Sequence, residues 1–513
     1  MSSSNANSVT GLEALYLASV DSKVELVTAV AGFPVTSLMD HFVANTNTGP
    51  DTLWMTNEKV ALETALGASV AGRRALVLSK HVGMNVLCDP LVNATTHTIG
   101  AGVVIIAGDD PGVIASQNEQ DSRWFGELAE VAVYDPATPD DAYRGITRAF
   151  ELSEMTRTPV IVRITHRLEK ASGPVDRCTD ILPSVHMLDR SIWDITMKGK
   201  HQRFHLESYP VLVEESEMSP LNRVNIGTGT IGIISSGYPS SLVEDIIGDD
   251  PSISHLSLNM PSPVPMDLFN DYVGHHERIL VVEETEPFIE SHIYIDKRVR
   301  GKRTGHLPYG RIEAEHIRYA LDHIQEDLLE HYTSIETINS RGSHLLCEDC
   351  PYLPLYNVLR DRDADQWVAG DIGCSVLSAP APLHAVDTGF SLGSAISVAC
   401  GFKEKGIAVI GDFGLAHSGI VGLINAVHHD MDVLVIVLQN KVAAMTGGQD
   451  VPDLIGVVEA LCDDVTLYDM DRITDQYMES SATDDLKDMI KNKLGQRGPA
   501  VIVVQGRCPK YGN

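Results

Sequence analysis

The sequence has no run of about 20 apolar residues, the length a helix needs to cross a bilayer. Its longest apolar stretches, such as "GVVIIAG" at 102–108 and "VLVIVL" at 433–438, are the size of buried strands. Basic residues are scarce, 39 Lys and Arg against 70 Asp and Glu, which leaves a formal net charge of -31. So acidic a surface repels phosphate backbones and anionic lipid, which argues against nucleic acid or membrane as a partner. The opening "MSSSNANSV" lacks the basic and apolar regions of an export signal. It reads as a frayed tail, and a cytoplasmic location is the expectation. Repeats of about 20–50 residues and low-complexity segments are absent too. With no export signal, the 8 cysteines read better as thiols or metal ligands than as disulfides.

What is present is a succession of strand-like runs alternating with helix-like stretches, in three blocks. The first holds "ALVLS" at 75–79, "VVIIAG" at 103–108 and "PVIVRI" at 159–164. The second holds "TIGIISSG" at 230–237 and "RILVVEE" at 278–284. The third holds "IAVIGD" at 407–412, "VLVIVLQN" at 433–440 and "AVIVVQG" at 500–506. Near-continuous β-branched runs suit strands covered on both faces, as in parallel sheets wrapped by helices. A chain of 513 residues is too long for one core. The expectation is therefore α/β, with three doubly wound domains over 1–185, 186–340 and 341–513. Polar, weakly patterned stretches near 185–225 and 330–345 are the expected linkers.

In the third block Gly411 and Asp412 close one apolar strand, and Gln439 and Asn440 close the next. Strand C-termini in a doubly wound sheet meet at one edge, where helix N-termini also point. One carboxylate and one amide oxygen there suit Mg²⁺ carrying a diphosphate, with N–H groups near Gly414 and Gly419 for phosphate oxygens. Two ordinary strand-end turns would have the same composition.

The Gly-Asp start and the Asn some thirty residues later resemble the thiamine diphosphate motif. The stretches "NEKVALETALGASVAGRRALVLSKHVGMNVLCDPL", "ASQNEQDSRWF", "DIGC", "AVDTGFSLGSAI", "HSGIVGLINAV" and "AAMTG" resemble the thiamine-diphosphate subunit of indolepyruvate:ferredoxin oxidoreductases. They fall in the family's order and cover nearly the whole chain. The resemblance implies a pyrimidine-binding, a transketolase-C-like and a diphosphate-binding domain, with active sites shared between two chains of a homodimer.

Carried over position by position, it implies that Glu58 hydrogen-bonds the cofactor's pyrimidine. A carboxyl there favours the imino tautomer, whose nitrogen takes the thiazolium C2 proton. Read alone, Glu58 is a solvated residue of a helix N-terminus. Leu392 matches the apolar prop that bends the cofactor; Gly393, Gly411 and Thr446 fall beside it, and Val442 joins Asp412 and Asn440 around Mg²⁺. Thr36 in "GFPVTSL" and Lys80 are placed toward the substrate carboxylate, with Asn85 near the same pocket. His81 and His417 are the candidate catalytic imidazoles, although a lone His is more often structural. Phe413 stands where many thiamine enzymes have glycine, and Gly448 where histidine is expected.

Cys347 and Cys350 form a CxxC, Cys374 follows 24 residues on, and Cys508 lies near the end. Three close cysteines and one distant one are a common set for a [4Fe–4S] cluster, and the spacing resembles the proximal cluster of pyruvate:ferredoxin oxidoreductases. A structural Zn²⁺ site or four buried thiols fit the same residues. Cys88, Cys178, Cys400 and Cys462 have no such company. The family's large subunit usually continues into a two-cluster ferredoxin domain, whereas the sequence stops at Asn513. Electrons are then expected to pass to a separate ferredoxin.

The resemblance implies oxidative decarboxylation of a 2-oxoacid, of the indolepyruvate or aryl-pyruvate kind, to an acyl-coenzyme A with help from a smaller partner subunit. The alternatives are a non-oxidative decarboxylase of the sulfopyruvate type, which has no use for a cluster, and a non-catalytic cofactor-binding scaffold.

Overall fold

The structure, a computed structural model, describes residues 8–45, 49–332, 346–472 and 476–511, the side chains of 476–480 excepted. The tail at 1–7 and most of the linker expected at 330–345 lie outside the described residues.

The chain divides into two compact units, Met1–Ile335 and Glu336–Asn513. The first unit carries two large sheets. One is built from β1 (Leu26–Ala29), β2 (Asp51–Trp54), β3 (Ala75–Lys80), β4 (Val103–Asp109), β5 (Val133–Tyr134) and β6 (Val160–Thr165), in the order β2-β1-β3-β4-β6-β5. Every pairing in it is parallel. The other is built from β7 (Arg223–Asn225), β8 (Ile231–Ser236), β9 (Ile253–Leu258), β10 (Arg278–Val282) and β11 (Val299–Arg300), in the order β11-β10-β8-β9-β7. Its edge strand β7 runs antiparallel to β9, and the other pairs are parallel. The second unit carries β12 (Val368–Gly370), β13 (Gly406–Gly411), β14 (Val433–Gln439), β15 (Val465–Asp469) and β16 (Ala500–Gln505), in the order β12-β13-β14-β16-β15, all parallel.

The central strands β3, β4, β6, β13, β14 and β16 are buried almost throughout. That burial is why their sequences are near-continuous apolar runs rather than alternating ones.

The first two sheets share one compact unit for an electrostatic reason. Arg163, on β6 and fully buried, pairs with Asp109 at the end of β4 (2.6 Å) and with Asp135 beyond β5 (3.1 Å). Asp135 also accepts from Ser236 at the end of β8 (2.7 Å). Arg123 reaches Glu283 beyond β10 at 2.9 Å and bonds Asp121 at 2.6 Å. Charges taken this far from water are tolerated because each has an opposite partner, and removing one partner would leave the other uncompensated. The carboxyl edges of the two sheets are thereby locked together.

The stretch near 185–225 corrects the linker expectation. It is mostly helical, with Arg190–Trp193, Met197–Arg203, a π-helical turn Phe204–Ser208 and Tyr209–Met218. Phe204 and Leu212 are buried while Leu206 and Met218 are exposed, so the apolar stripe is too sparse to be read as a helix face. No helix among the described residues is long and apolar enough to cross a membrane.

Candidate active site

In the first unit, the ends of β1, β3 and β4 meet at one edge. β1 leads into the turn Gly32–Thr36. There the Thr36 hydroxyl donates to the Gly32 carbonyl (3.0 Å) and accepts from the Gly32 N–H (2.9 Å). A Cβ on Gly32 would stand 2.6 Å from Cδ of Lys80, and one on Gly108 would stand 2.7 Å from Val35. The turn therefore lies directly on the Lys80 stem and on β4.

Glu58 opens helix Glu58–Val70, whose N-cap Asn57 accepts from the Lys59 N–H. Its carboxylate is not the solvated group that its position in sequence suggests: Glu58 is 5% exposed. It is pressed against Gly83, where a Cβ would come within 2.5 Å of both Glu58 Oε1 and Ser79 Oγ. Only glycine at position 83 leaves room for that carboxylate.

Lys80 ends β3 and His81 begins helix His81–His97. Burial lowers the proton affinity of the Lys80 ammonium, and the Glu58 and Asp110 carboxylates act in the opposite direction. His81 is fully buried. Its Nε2 faces the Asn118 carbonyl (3.1 Å) and Asn118 Oδ1 (3.2 Å), and its Nδ1 faces the Gly108 carbonyl at 3.4 Å. A ring whose nitrogens both look at carbonyl oxygens ties a loop to a helix. Asn85 exchanges hydrogen bonds with Gln120 at 3.1 and 2.9 Å.

In the second unit, β13 and β14 are paired so that Gly411 stands opposite Leu438. Asp412 and Asn440 then emerge side by side. Asp412 Oδ1 accepts from the Phe413 N–H (2.9 Å), and Oδ2 accepts from the N–H groups of Asn440 (3.0 Å) and Lys441 (2.6 Å). Burial pushes this carboxyl up to about 6 despite those donors. Asn440 Oδ1 accepts from the Val442 N–H at 3.0 Å. Lys441, between them, has φ 64, a left-handed conformation that non-glycine residues hold only where the surroundings impose it.

Among the described residues no group of three or more His, Cys, Asp or Glu is arranged to hold a metal ion. The donor set at this edge is of another kind, one carboxylate, one amide oxygen and main-chain carbonyls. Hard oxygens of that kind are the donor type that Mg²⁺ prefers.

The helix that begins at Asp412 passes through a π-helical turn, Leu415–Gly419, which displays His417. His417 is largely buried and its Nδ1 lies 3.2 Å from Ser418 Oγ. Ser418 in turn donates to the Leu392 carbonyl (2.9 Å). Gly393 has φ 85, and a Cβ there would fall 2.0 Å from Ser418 Oγ. Leu392 is half-buried beside it.

Thr446 lies in the hairpin between Val442–Ala443 and Gln449–Asp450 and donates to Gln449 Oε1 at 3.0 Å. At its tip Gly448 has φ 83, and a Cβ would stand 2.6 Å from the Tyr511 ring. A histidine side chain has no place at that position here.

Sequence reading missed Asp371. It ends the β12 segment, is 1% exposed, and burial pushes it up to about 7. Its Oδ1 accepts from the Gly393 N–H at 2.7 Å, and a Cβ on Gly414 would lie 2.0 Å from its Oδ2. Its main chain bonds Ser375 locally, but its carboxylate meets residues more than twenty positions away, so no spacing announces it.

The cysteines of the second unit gather through the sheet. Cys350 N–H donates to the Cys347 carbonyl (3.1 Å), closing the CxxC turn. Pro351 and Tyr352 then pack on Gly506 past β16, and the Tyr352 hydroxyl donates to the Gly506 carbonyl at 3.1 Å. That contact draws Cys508 in. Cys374 opens the short helix after β12. Burial pushes the Cys350 thiol up to about 12, with Cys374, Cys347 and Cys508 adding to it, and the Cys374 thiol up to about 11, with Cys508 and Cys347 adding to that. Among the described residues these thiols are not arranged as a group that could hold a metal ion.

Comparison with known proteins decides the family. Residues 27–178 match the thiamine-diphosphate-binding domain of pyruvate flavodoxin/ferredoxin oxidoreductases. Residues 371–504 match the C-terminal TPP-binding domain of thiamine pyrophosphate enzymes. The indolepyruvate oxidoreductase subunit IorA of Archaeoglobus fulgidus is 31% identical over 487 residues, 86% of this chain and 76% of the relative. The chain belongs to the IorA family. The IorA of Methanothermobacter marburgensis is 32% identical over 428 residues, 78% of this chain and 69% of the relative. That of Thermococcus kodakarensis is 29% identical over 561 residues, 98% of this chain and 85% of the relative. In fold, this IorA-like chain is similar to the 2-oxoglutarate:ferredoxin oxidoreductase of Magnetococcus marinus. The TM-score is 0.51, at 15% identity over 62% of this chain and 65% of that one. The protein is a thiamine-diphosphate-binding subunit of α/β fold.

Proposed function

We propose that this chain is the catalytic subunit of a 2-oxoacid:ferredoxin oxidoreductase acting on an aryl-pyruvate of the indolepyruvate kind. The reaction is 2-oxoacid, coenzyme A and two oxidised ferredoxins giving acyl-coenzyme A, CO₂, two reduced ferredoxins and a proton. Bound thiamine diphosphate supplies the electron sink that makes loss of CO₂ from a 2-oxoacid accessible.

The observation that carries the reading is the pairing of Asp412 with the Asn440–Lys441 turn at adjacent strand ends. It lies inside the stretch matched to a TPP-binding domain. Asp412, Asn440 and the Val442 carbonyl hold Mg²⁺ against the diphosphate, with Gly411 and Thr446 alongside. Leu392 and Gly393 shape the cofactor's bend, and His417 faces the diphosphate side. Glu58, desolvated and wedged against Gly83, holds a proton at the pyrimidine ring. Thr36 and Lys80 receive the substrate carboxylate, and His81 orients the loop above them. Cys347, Cys350, Cys374 and Cys508, drawn together, would hold a [4Fe–4S] cluster, which would supply one-electron transfer toward ferredoxin. A smaller subunit completes the enzyme, and two copies of the chain share each active site.

The test is spectroscopic. Protein purified without oxygen is expected to absorb broadly near about 400 nm and to bleach with dithionite, the signature of a cysteine-ligated cluster. Cys347→Ser, Cys350→Ser, Cys374→Ser and Cys508→Ser are expected to lose iron and acceptor reduction while keeping thiamine diphosphate. Cys88→Ser, Cys178→Ser, Cys400→Ser and Cys462→Ser are expected to keep their iron. Stoichiometric zinc without iron would replace the oxidoreductase with a non-oxidative 2-oxoacid decarboxylase.

A further inference from the structure

The ammonium of Lys80 donates to a neutral group, Oε1 of Gln117, at 3.0 Å. Two carboxylates, Glu58 and Asp110, act on it electrostatically. Asp110 is already committed, since its carboxylate accepts from the N–H groups of Ile114 (3.0 Å) and Ala115 (2.9 Å) and so shapes the loop after β4. Gln117 is exposed, whereas Lys80 is partly enclosed with its stem laid over Gly32.

The main chain around Gln117 is fixed, but its side chain is not. His81 holds the next residue through the Asn118 carbonyl, and Asn85 holds Gln120. Gly112 and Val113, with φ 79 and 46, turn the loop on its other side. The exposed Gln117 side chain has only its own rotamer to change in order to leave Lys80, a cheap movement for an unburied residue.

We infer that Gln117 is the specificity residue that reserves Lys80 for the substrate: its amide oxygen occupies the seat of the 2-oxoacid carboxylate and is displaced by it. The inference rests on the reading that Lys80 receives that carboxylate. A neutral amide is suited to the task. It keeps the ammonium extended and hydrogen-bonded between turnovers, yet gives way to a carboxylate, because a carboxylate adds the attraction of a second full charge to a bond in which only the donor is otherwise charged. A carboxylate at position 117 would pair with Lys80 permanently and repel the substrate. An apolar residue would leave the seat open.

The experiment compares Gln117→Glu, Gln117→Met and Lys80→Gln in the complete enzyme, with indolepyruvate as substrate and an artificial electron acceptor. Thiamine diphosphate affinity is measured by calorimetry for each. Gln117→Glu is expected to raise KM about tenfold or more, with a much smaller change in kcat, and Gln117→Met to lower KM a few-fold. Thiamine diphosphate affinity is expected to stay within a few-fold in both. If Lys80→Gln raises KM but neither Gln117 variant moves it, the role of Gln117 is overturned and the assignment of Lys80 stands. If none of the three moves KM, the assignment of Lys80 falls as well. If Gln117→Glu fails to fold or to bind thiamine diphosphate, Gln117→Met decides alone: a lowered KM supports the proposal, and an unchanged or raised one overturns it.

Discussion

At the carboxyl edge of the first sheet, side chains hold Lys80, Asn85 and Glu58, while Thr36 and His81 rest on main-chain groups. Gln117 holds Lys80, Gln120 holds Asn85, and Glu58 lies against Ser79 and Gly83. At the carboxyl edge of the last sheet the main chain does the holding. Asp412 accepts from three N–H groups, and Asn440 from a fourth. Main-chain donors are set by strand register and turn geometry and do not depend on residue type, so that edge suits a constant ligand such as a magnesium diphosphate. Side-chain contacts change with single substitutions, so the other edge suits a part of the reaction that differs between enzymes.

The strongest way to break this comparison is at Asp412. Asp412→Ala and Asn440→Ala are expected to abolish thiamine diphosphate binding at ordinary Mg²⁺ concentration, seen by calorimetry as a loss of about 100-fold or more. Asp412→Ala removes the carboxylate and also leaves three part-buried main-chain N–H groups without their acceptor. Asp412→Asn separates the two contributions, because it keeps acceptors for the turn while discarding the charge. Unchanged affinity in both alanine variants would reassign the site.

Glu58 comes next. Glu58→Gln is expected to keep thiamine diphosphate within a few-fold of wild type and to cut turnover by about 10²–10⁴-fold, the usual worth of a positioned acid–base group. Proton exchange at the bound cofactor's C2, followed by NMR, reads the effect directly. A wild-type exchange rate would show that another residue holds the pyrimidine.

The smallest effects come from paired glycine substitutions, which sharpen the contrast between main chain and side chain. A Cβ on Gly393 meets Ser418 Oγ at 2.0 Å and the Gly419 nitrogen at 2.8 Å, with φ 85. Gly393→Ala is expected to cost roughly 1–3 kcal/mol and to lower both melting temperature and cofactor affinity. A Cβ on Gly32 meets the flexible stem of Lys80 at 2.6 Å. Gly32→Ala is expected to move that stem, raising KM for the 2-oxoacid by about two- to fivefold at nearly unchanged melting temperature.

Much of this was legible in the residues. The runs at 75–79, 103–108, 407–412 and 433–440 declare themselves as strands because they are nearly continuous in apolar residues. Asp412 and Asn440 were legible because a strand end has a definite place in a parallel sheet. Two other strands were not. β9, "ISHLSL", buries its histidine and both serines. His255 Nε2 lies 2.6 Å from Ser235 Oγ on the neighbouring strand, a partner the sequence does not disclose. β2, "DTLW", is an edge strand with alternating exposure and too short to declare itself.

The α/β class, the three blocks of strands and the two strand ends that carry Asp412 and Asn440 were determined by the sequence alone, because hydrophobic periodicity and turn chemistry act over a few residues. Tertiary structure alone decided the rest. It merged the first two sheets into one unit through Arg163, Arg123 and their carboxylates. It brought Cys508 toward the CxxC through Gly506 and Tyr352. It buried Asp371 under Gly393 and Gly414 and laid Gln117 on Lys80. Each of these joins residues far apart in the chain, and burial is a property of what the fold stacks above a side chain, not of the residues beside it.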